Sequence, residues 1–223
     1  MDDAFSHVTE WVFDLDNTLY PPSARLFDQI ETRMSAWVMD ALGVDHAEAD
    51  RLRELYWRRY GTTLTGLMVE HGIDAGPYLD AVHDISFDGL TPDPKLSALI
   101  KNLPGLKIVY TNGPARYAAQ VLDARGLSQA FEAVYAIEDA NLVPKPEAQA
   151  FQTVFEKAGI AGPNAAMFED DPRNLEVPHN LGMRTIHVAP QPEPFAHIHQ
   201  HTDDLAGFLS QLADGETALI QRP

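Results

Sequence analysis

The stretch "EWVFDLDNTLYPP" at residues 10–22 is the most informative part of the sequence, because an apolar run ends there in two aspartates, Asp14 and Asp16. Residues 8–15, "VTEWVFDL", are mostly apolar and β-branched, which predicts a buried strand. In an extended chain, residues two positions apart point the same way, and like charges that close repel each other. The pattern therefore indicates that a bound ion or another part of the chain offsets this repulsion.

The composition is typical of a soluble globular protein with a full core. The chain has 223 residues, of which 45% are hydrophobic and 22% are charged, and it has no cysteine. Disulfides, thiolate metal sites and cysteine nucleophiles are therefore excluded. The formal net charge of −17 disfavours nucleic-acid polymers and anionic membranes as partners.

The sequence also predicts a cytoplasmic location. No run approaches the roughly 20 apolar residues that a membrane span needs. The first ten residues, "MDDAFSHVTE", are acidic and polar, and they lack the basic and then apolar layout of a signal peptide.

Residues 21–90 predict a helical insert, because the segment contains no convincing strand. Ser23 is the expected N-cap of its first helix, and Gly43 and Gly61 are the expected ends of the first and second helices. Apolar residues at helical spacing predict helices at 23–43, 45–61, 64–72 and 76–85.

In the remainder of the chain, apolar runs alternate with amphipathic segments. The predicted strands are 106–111, 133–137, 164–170 and 183–189, and the predicted helices are 114–126, 146–159, 172–181 and 203–212. This alternation predicts an α/β fold, a Rossmann-like parallel sheet with helices on both faces. Residues 1–20 and 91–223 would form this core domain, and 190–202, "PQPEPFAHIHQHT", would be a connection.

Polar residues follow the other predicted strands as well. Because the carboxyl ends of parallel strands lie along one edge of a sheet, where ligands bind, these residues are expected to meet there. Helix N-termini at that edge offer free N–H groups to a phosphate. The polar residues are Thr111, Asn112 and Gly113 after the second strand, Lys145 before the next helix, and Glu169, Asp170 and Asp171 after the fourth strand.

Three carboxylates, those of Asp14, Asp16 and Asp170, are expected to hold a divalent cation at this edge. Ligation by oxygen alone favours Mg²⁺. Lys145 and the Thr111 turn would complete an anion pocket beside it.

The acidic trio after the fourth strand divides into different expected roles. Asp171 directly precedes Pro172, so the favoured interpretation is a helix N-cap. Asp170 is one residue closer to the strand and is the better candidate for a metal ligand. Glu169 is either a second ligand or a supporting residue.

Four short stretches resemble the motifs of the haloacid dehalogenase-like hydrolases. "DLDNTL" resembles the D-x-D-x-T motif, and "YTNG", "VPKP" and "FEDDPRNL" are similar to the three motifs that follow it in that family. The helical insert resembles the family's C1 cap, and the resemblance covers nearly the whole chain. "FDLDNTLYPPSARLF" and "LVPKPEAQAF" resemble the pyrimidine 5′-nucleotidase-like branch more closely.

The resemblance implies a phosphatase mechanism. Asp14 would attack the phosphorus to form an aspartyl-phosphate, and Asp16 would protonate the leaving alcohol and then activate water. Asp14, the backbone carbonyl of Asp16 and Asp170 would hold Mg²⁺. Lys145 would lower the pKa of Asp14 and, with the turn after the second strand, bind the phosphate. The phosphate-binding residues would be Thr111, Asn112, Gly113 and Lys145, and the supporting residues would be Thr18, Glu169, Asp171 and Asn174.

Other candidate residues are open to less specific interpretations. His197, His199 and His201 are spaced to share one face of a strand, which invites a metal-site hypothesis, but no carboxylate or cysteine motif accompanies them. Packing is the favoured role for the insert's aromatic residues, although a cap that recognises a nucleobase would need one or two of them. These residues are Trp37, Tyr56, Trp57 and Tyr60. Anion contact and plain surface placement are both open for Arg58, Arg59, Arg116 and Arg173.

The function that the sequence favours is a Mg²⁺-dependent phosphomonoesterase, with pyrimidine nucleoside 5′-monophosphates as one candidate substrate class. The first alternative is a phosphatase or mutase for a sugar phosphate or another small metabolite. The second alternative is a catalytically silent protein that binds a phosphorylated ligand. The expected partner is a small phosphorylated metabolite, bound by a monomer or a homodimer.

Overall fold

The computed structural model describes residues 4–214, which form a parallel sheet covered by helices. The strand order is β3-β2-β1-β4-β5-β6, and every neighbouring pair is parallel. The strands are β1 (Glu10–Phe13), β2 (Leu106–Tyr110), β3 (Ala133–Tyr135), β4 (Ala165–Glu169), β5 (Arg184–Val188) and β6 (Gln200–Thr202). The order reverses between β1 and β4, which is the position where open α/β sheets bind ligands.

Nine α-helices lie within the described residues. They are α1 (Leu26–Leu42), α2 (His46–Tyr60), α3 (Thr63–His71), α4 (Ala75–Val82), α5 (Pro94–Asn102), α6 (Ala115–Ala124), α7 (Ala148–Ala158), α8 (Glu176–Asn180) and α9 (Leu205–Asp214). No helix in 4–214 is long and apolar enough to cross a membrane.

The core lies on both faces of the sheet, as the near-continuous apolar strands predict. Trp11 and Phe13 point to one face, where they join buried side chains of α5, α6 and α9. Val12, between them, points to the other face and packs with Phe151 of α7 and Met183. Both faces of every central strand are thereby buried, which confirms the predicted α/β class.

Helices α1–α4 form the helical insert between β1 and β2, and they contribute most of one hydrophobic cluster, which also includes Ile137. Asp45 and Thr62 cap α2 and α3 with side-chain hydrogen bonds. Gly43 and Gly61 directly follow the last residues of α1 and α2, as predicted, with positive φ angles of 65° and 83° that suit glycine. The predicted core ends, 1–3 and 215–223, lie outside the described residues.

Four features differ from the predictions, and the first is α5 (Pro94–Asn102), which lies in a stretch where no helix was predicted. Ser23 does not cap α1, because it lies inside a 3₁₀ turn, Pro22–Ala24, and α1 begins only after Arg25. The predicted helix 172–181 is a 3₁₀ turn followed by the short α8, in which Pro178 lacks the N–H that a longer helix would use. The predicted connection 190–202 ends in β6. This strand consists of three polar residues, so no apolar run marks it in the sequence.

Candidate active site

Three acids meet where β1 and β4 end. Phe13 pairs with Phe168 across these strands, and the Asp14 N–H continues the ladder by donating to the Phe168 carbonyl at 2.9 Å. Within residues 4–214, one carboxylate oxygen each from Asp14, Glu169 and Asp170 lies within 4.8 Å of the other two. A cluster of hard oxygen donors of this size fits a divalent cation such as Mg²⁺.

Lys145 is buried beneath the acids and joins two of them. Its Nζ donates to Asp14 Oδ1 at 2.7 Å, to Glu169 Oε2 at 2.6 Å and to the Tyr110 carbonyl at 3.1 Å. Only 1% of the residue is exposed. Since an ammonium group has three protons, all three are used by protein oxygens in this arrangement. Lys145 therefore positions and neutralises the acids, and it reaches a phosphate only by giving up one of these bonds.

The pKa of Asp14 differs from the expected direction. Burial raises the pKa of the Asp14 carboxyl well above its usual value, and the charge on Glu169 adds to the rise, whereas Lys145 opposes it. Lys145 lowers the pKa of Asp14, as predicted, but burial and the neighbouring acids outweigh one ammonium group, so the expected net decrease is wrong. Burial likewise raises the pKa of Asp170, together with repulsion from Asp14 and Glu169. A bound cation would relieve this repulsion.

The structure separates the roles of the acidic trio. Glu169 accepts Lys145 on Oε2 and the Asp171 N–H on Oε1 at 3.2 Å, so it supports the site from below. Asp170 Oδ2 accepts Asn17 Nδ2 at 3.2 Å. Asp171 accepts the Arg173 N–H at 3.0 Å, which is the predicted cap, and its two oxygens also hold the Arg173 guanidinium.

The Asp16 carboxylate does not belong to the three-acid group of the described residues, where Glu169 lies with Asp14 and Asp170 in place of the expected Asp16. Its Oδ1 instead accepts two phenol hydroxyls, those of Tyr20 and Tyr117, each at 2.6 Å. The physical reason is that β1 ends at Phe13 and a turn begins at Asp16, so the extended geometry assumed in the prediction is not maintained.

The polar groups of the turn after β2 form hydrogen bonds within the protein, mainly to the backbone of Lys145. Asn112 Oδ1 accepts the Lys145 N–H at 2.8 Å, and Asn112 Nδ2 donates to the Lys145 carbonyl at 3.0 Å. Thr111 Oγ1 accepts the Gly113 N–H at 2.9 Å. The polar groups that were expected to bind phosphate at Asn112 and Gly113 are thus used inside the protein, while Thr111 and Asn112 still line the cavity.

A cavity of about 540 Å³ lies over the acids, between the sheet edge and the helical insert. The insert contributes Trp57, whose side chain is 46% exposed. The Arg173 guanidinium lies 3.7 Å from the centre of the Trp57 ring, so this pair joins the two walls. The lining residues include Asp14, Asp16, Asn17, Phe27, Glu31, Met34, Asp50, Arg53, Glu54, Trp57, Thr111, Lys145, Asp170, Arg173 and Asn174.

The predicted packing role is therefore wrong for Trp57, although it holds for its neighbours. Trp37 packs edge-on against Tyr78 with ring centres 5.1 Å apart. Tyr56 bonds to His71 at 2.6 Å. Tyr60 bonds to Glu70.

The arginines divide in a similar way. Arg58 and Arg59 pair with glutamates on the surface of the insert and do not line the cavity over the acids. Arg116 lines a different cavity, beside α4 and α6. Arg173 lines the cavity over the acids, and so does Arg53, which the sequence did not single out.

Two supporting residues keep a polar atom without a partner among residues 4–214. Thr18 Oγ1 and Asn174 Oδ1 are both buried in this way. Asn174 lines the cavity, whereas Thr18 does not. The three alternate histidines bind separate oxygens: His197 the Pro172 carbonyl, His199 the Thr185 hydroxyl and His201 the Ala189 carbonyl. They form no metal group in the part of the chain that the structure describes.

Comparison with known proteins identifies the family. The sequence model of the haloacid dehalogenase-like hydrolases matches residues 12–182, which contain every residue of the site. The chain belongs to the haloacid dehalogenase-like hydrolases. Among relatives of this hydrolase, Phosphate metabolism protein 8 of Saccharomyces cerevisiae is 29% identical over 193 residues, which are 79% of this chain and 60% of the yeast protein. The hydrolase described here thus spans less than two thirds of that relative.

Solved structures show the same fold. A HAD phosphatase from Thermococcus onnurineus has a TM-score of 0.62 at 18% identity, with 94% of this chain and 99% of the other covered. The L-2-haloacid dehalogenase from Xanthobacter autotrophicus, with chloropropionic acid covalently bound, has a TM-score of 0.59 at 14% identity, with 92% and 98% covered. Because the fold is shared by a phosphatase and a dehalogenase, the reaction must be argued from the site of this hydrolase.

Proposed function

We propose that this hydrolase is a Mg²⁺-dependent phosphomonoesterase that works through an aspartyl-phosphate. The observation that carries the proposal is the pairing of two differently held carboxylates in one cavity. Asp14 lies in the acidic group beside Lys145, and Asp16 lies apart from that group with two phenols on one oxygen. A nucleophile and a general acid require two such distinct environments.

The chemistry follows from these placements. Asp14 attacks the phosphorus, the ester P–O bond breaks, and Asp16 gives its proton to the departing alcohol oxygen. Water then attacks the same phosphorus and gives a proton to Asp16, while the Asp14–phosphorus bond breaks and phosphate leaves. Lys145 holds Asp14 in place throughout.

Asp14 and Asp170 would hold the metal, with the Asp16 backbone carbonyl as a third ligand. Mg²⁺, when bound, would neutralise charge on the phosphate oxygens. The fit rests on the close approach of the acids and on the direction of the Asp14 and Asp170 pKa values, both of which burial and mutual repulsion raise in the protein alone.

Two observations favour phosphate over halide as the group removed. The resemblance implies that dehalogenases of the family typically lack the second acid, which is present here as Asp16. The similarity to a yeast protein named for phosphate metabolism points the same way.

The expected substrate is a small phosphorylated metabolite, and pyrimidine nucleoside 5′-monophosphates are the candidates that we propose first. The cavity of about 540 Å³ is within the range of small-molecule sites. The half-exposed Trp57 ring on the wall opposite the acids offers a flat apolar surface to a base or sugar. The net charge of −17 argues against a nucleic-acid polymer.

A phosphate-release panel tests the proposal. Nucleoside monophosphates and sugar phosphates are assayed with Mg²⁺ and with EDTA, on the unchanged protein, Asp14→Asn and Asp28→Asn. Asp28 is an exposed acid on the insert, so its variant controls for the loss of one charge. We expect Mg²⁺-dependent release that is lost in Asp14→Asn and kept in Asp28→Asn. Release by sugar phosphates alone would favour the metabolite phosphatase, and ligand binding without release would favour the silent binder.

A further inference from the structure

Two buried phenols converge on a single oxygen of Asp16. Tyr20, which follows β1 by a short loop, and Tyr117, on α6, each donate a hydrogen bond of 2.6 Å to Asp16 Oδ1. Their own hydroxyl oxygens are 3.3 Å apart, and each residue is 1% exposed. Both phenol hydrogen bonds therefore reach Oδ1 of the carboxylate, and Asp16 lines the cavity over the acids.

This arrangement distinguishes the two oxygens of Asp16. A carboxyl oxygen has two lone pairs, and each phenol has one proton to donate. Because both protons go to Oδ1, that oxygen has no capacity left for a proton of its own. A proton carried by Asp16 must therefore lie on Oδ2. Both phenols are buried, and each has its proton directed to this one oxygen.

Packing in the core holds both tyrosine rings in place. The Tyr117 ring contacts His83 with centres 4.8 Å apart and Phe87 with centres 6.1 Å apart. Tyr20 lies in the core cluster on the same face of the sheet. Both phenols are thus held before any ligand arrives, which is how an enzyme fixes a reacting group in advance.

We propose that Tyr20 and Tyr117 are positioning residues that make Oδ2 of Asp16 the atom that gives and takes the proton. The inference rests on the proposed phosphatase function. In the first step, the proton leaves Asp16 Oδ2 for the ester oxygen as the P–O bond breaks and the bond to Asp14 forms. In the second step, water gives a proton back to Oδ2 as the bond to Asp14 breaks. Oδ1 keeps both phenol bonds in each step.

The dependence on the leaving group tests this role. Tyr20→Phe and Tyr117→Phe are compared with the unchanged protein on an alkyl phosphate, which needs a proton donor, and on p-nitrophenyl phosphate, which needs little help. The value of kcat/KM is used because it reports only the steps up to phosphoenzyme formation. Each variant is expected to lose about tenfold or more on the alkyl ester and less than about threefold on the aryl ester.

Tyr78→Phe is the matched control. Tyr78 is a buried tyrosine of the insert, and its hydroxyl has no partner among residues 4–214, so both esters should be hydrolysed as before. Equal losses on both esters, or no loss in either variant, would overturn the inference. If one variant fails to fold by circular dichroism, the other decides. An unchanged protein that hydrolyses neither ester would contradict the proposed function itself.

Discussion

Replacing Lys145 by methionine is expected to destabilise the protein by about 3–5 kcal/mol near neutral pH, the usual cost of removing one partner from a buried ion pair. Methionine fills similar space but donates no hydrogen bond. Asp14 Oδ1 and Glu169 Oε2 would lose their contacts of 2.7 and 2.6 Å, and water would not replace the ammonium group at a site where Lys145 is 1% exposed.

The loss should depend on pH in a defined direction. Burial raises the folded-state pKa of Asp14 above its unfolded value, and Lys145 is among the groups that oppose the rise. A group of this kind favours folding below its unfolded pKa and disfavours it as the pH rises through the folded pKa. The deficit of the variant should therefore be larger at about pH 7.5 than at about pH 5, where the carboxyl is closer to neutral.

Urea unfolding followed by circular dichroism, in EDTA, measures this effect. The expected shift in midpoint is about 1–2 M. Lys157→Met is the control, because Lys157 is half-exposed and lies 3.7 Å from Asp139, a pair that is worth less than about 1 kcal/mol. A Lys145→Met protein as stable as this control, or one whose deficit grows at low pH, would refute the reasoning.

Three further predictions concern the metal, the cavity and the turn after β2. Mg²⁺ at a hundredfold excess over its Kd should stabilise the protein by about 2.7 kcal/mol in thermal unfolding, and Asp170→Asn should abolish this gain. Trp57→Leu should raise KM for nucleoside monophosphates several-fold and leave kcat within about twofold in steady-state assays, because Trp57 lies on the wall opposite the acids. Asn112→Ala should lower the free energy of unfolding by about 1–3 kcal/mol in urea titrations, since it leaves two backbone groups of Lys145 unpaired.

The sequence predicts the fold and part of the site because those features follow from local patterns. Apolar runs that end in polar turn residues give the strands and their carboxyl ends. Once the sheet is parallel, its topology alone brings Asp14, Asp170 and Lys145 to one edge. The ends of α1 and α2 are predictable for the same reason, since a glycine follows each helix.

The remaining features depend on tertiary structure. The Asp16 carboxylate is held by Tyr20 and by Tyr117, which is 101 positions away in the chain. The raised pKa of Asp14 depends on how deeply the site is buried, which no short motif encodes. Trp57 and Tyr56 are adjacent on α2, but Trp57 lines the cavity and Tyr56 packs in the core of the insert. Helical spacing alone does not distinguish these two positions.

The most direct test of the central claim is detection of the phosphoryl group on Asp14. The protein is mixed with Mg²⁺ and a phosphomonoester that it hydrolyses, quenched in acid, reduced with borohydride and digested for mass spectrometry. An aspartyl-phosphate at position 14 is converted to homoserine by this treatment, and that residue is the expected result. Phosphate release by a protein whose position 14 stays unmodified, together with full activity in Asp14→Asn, would contradict the account.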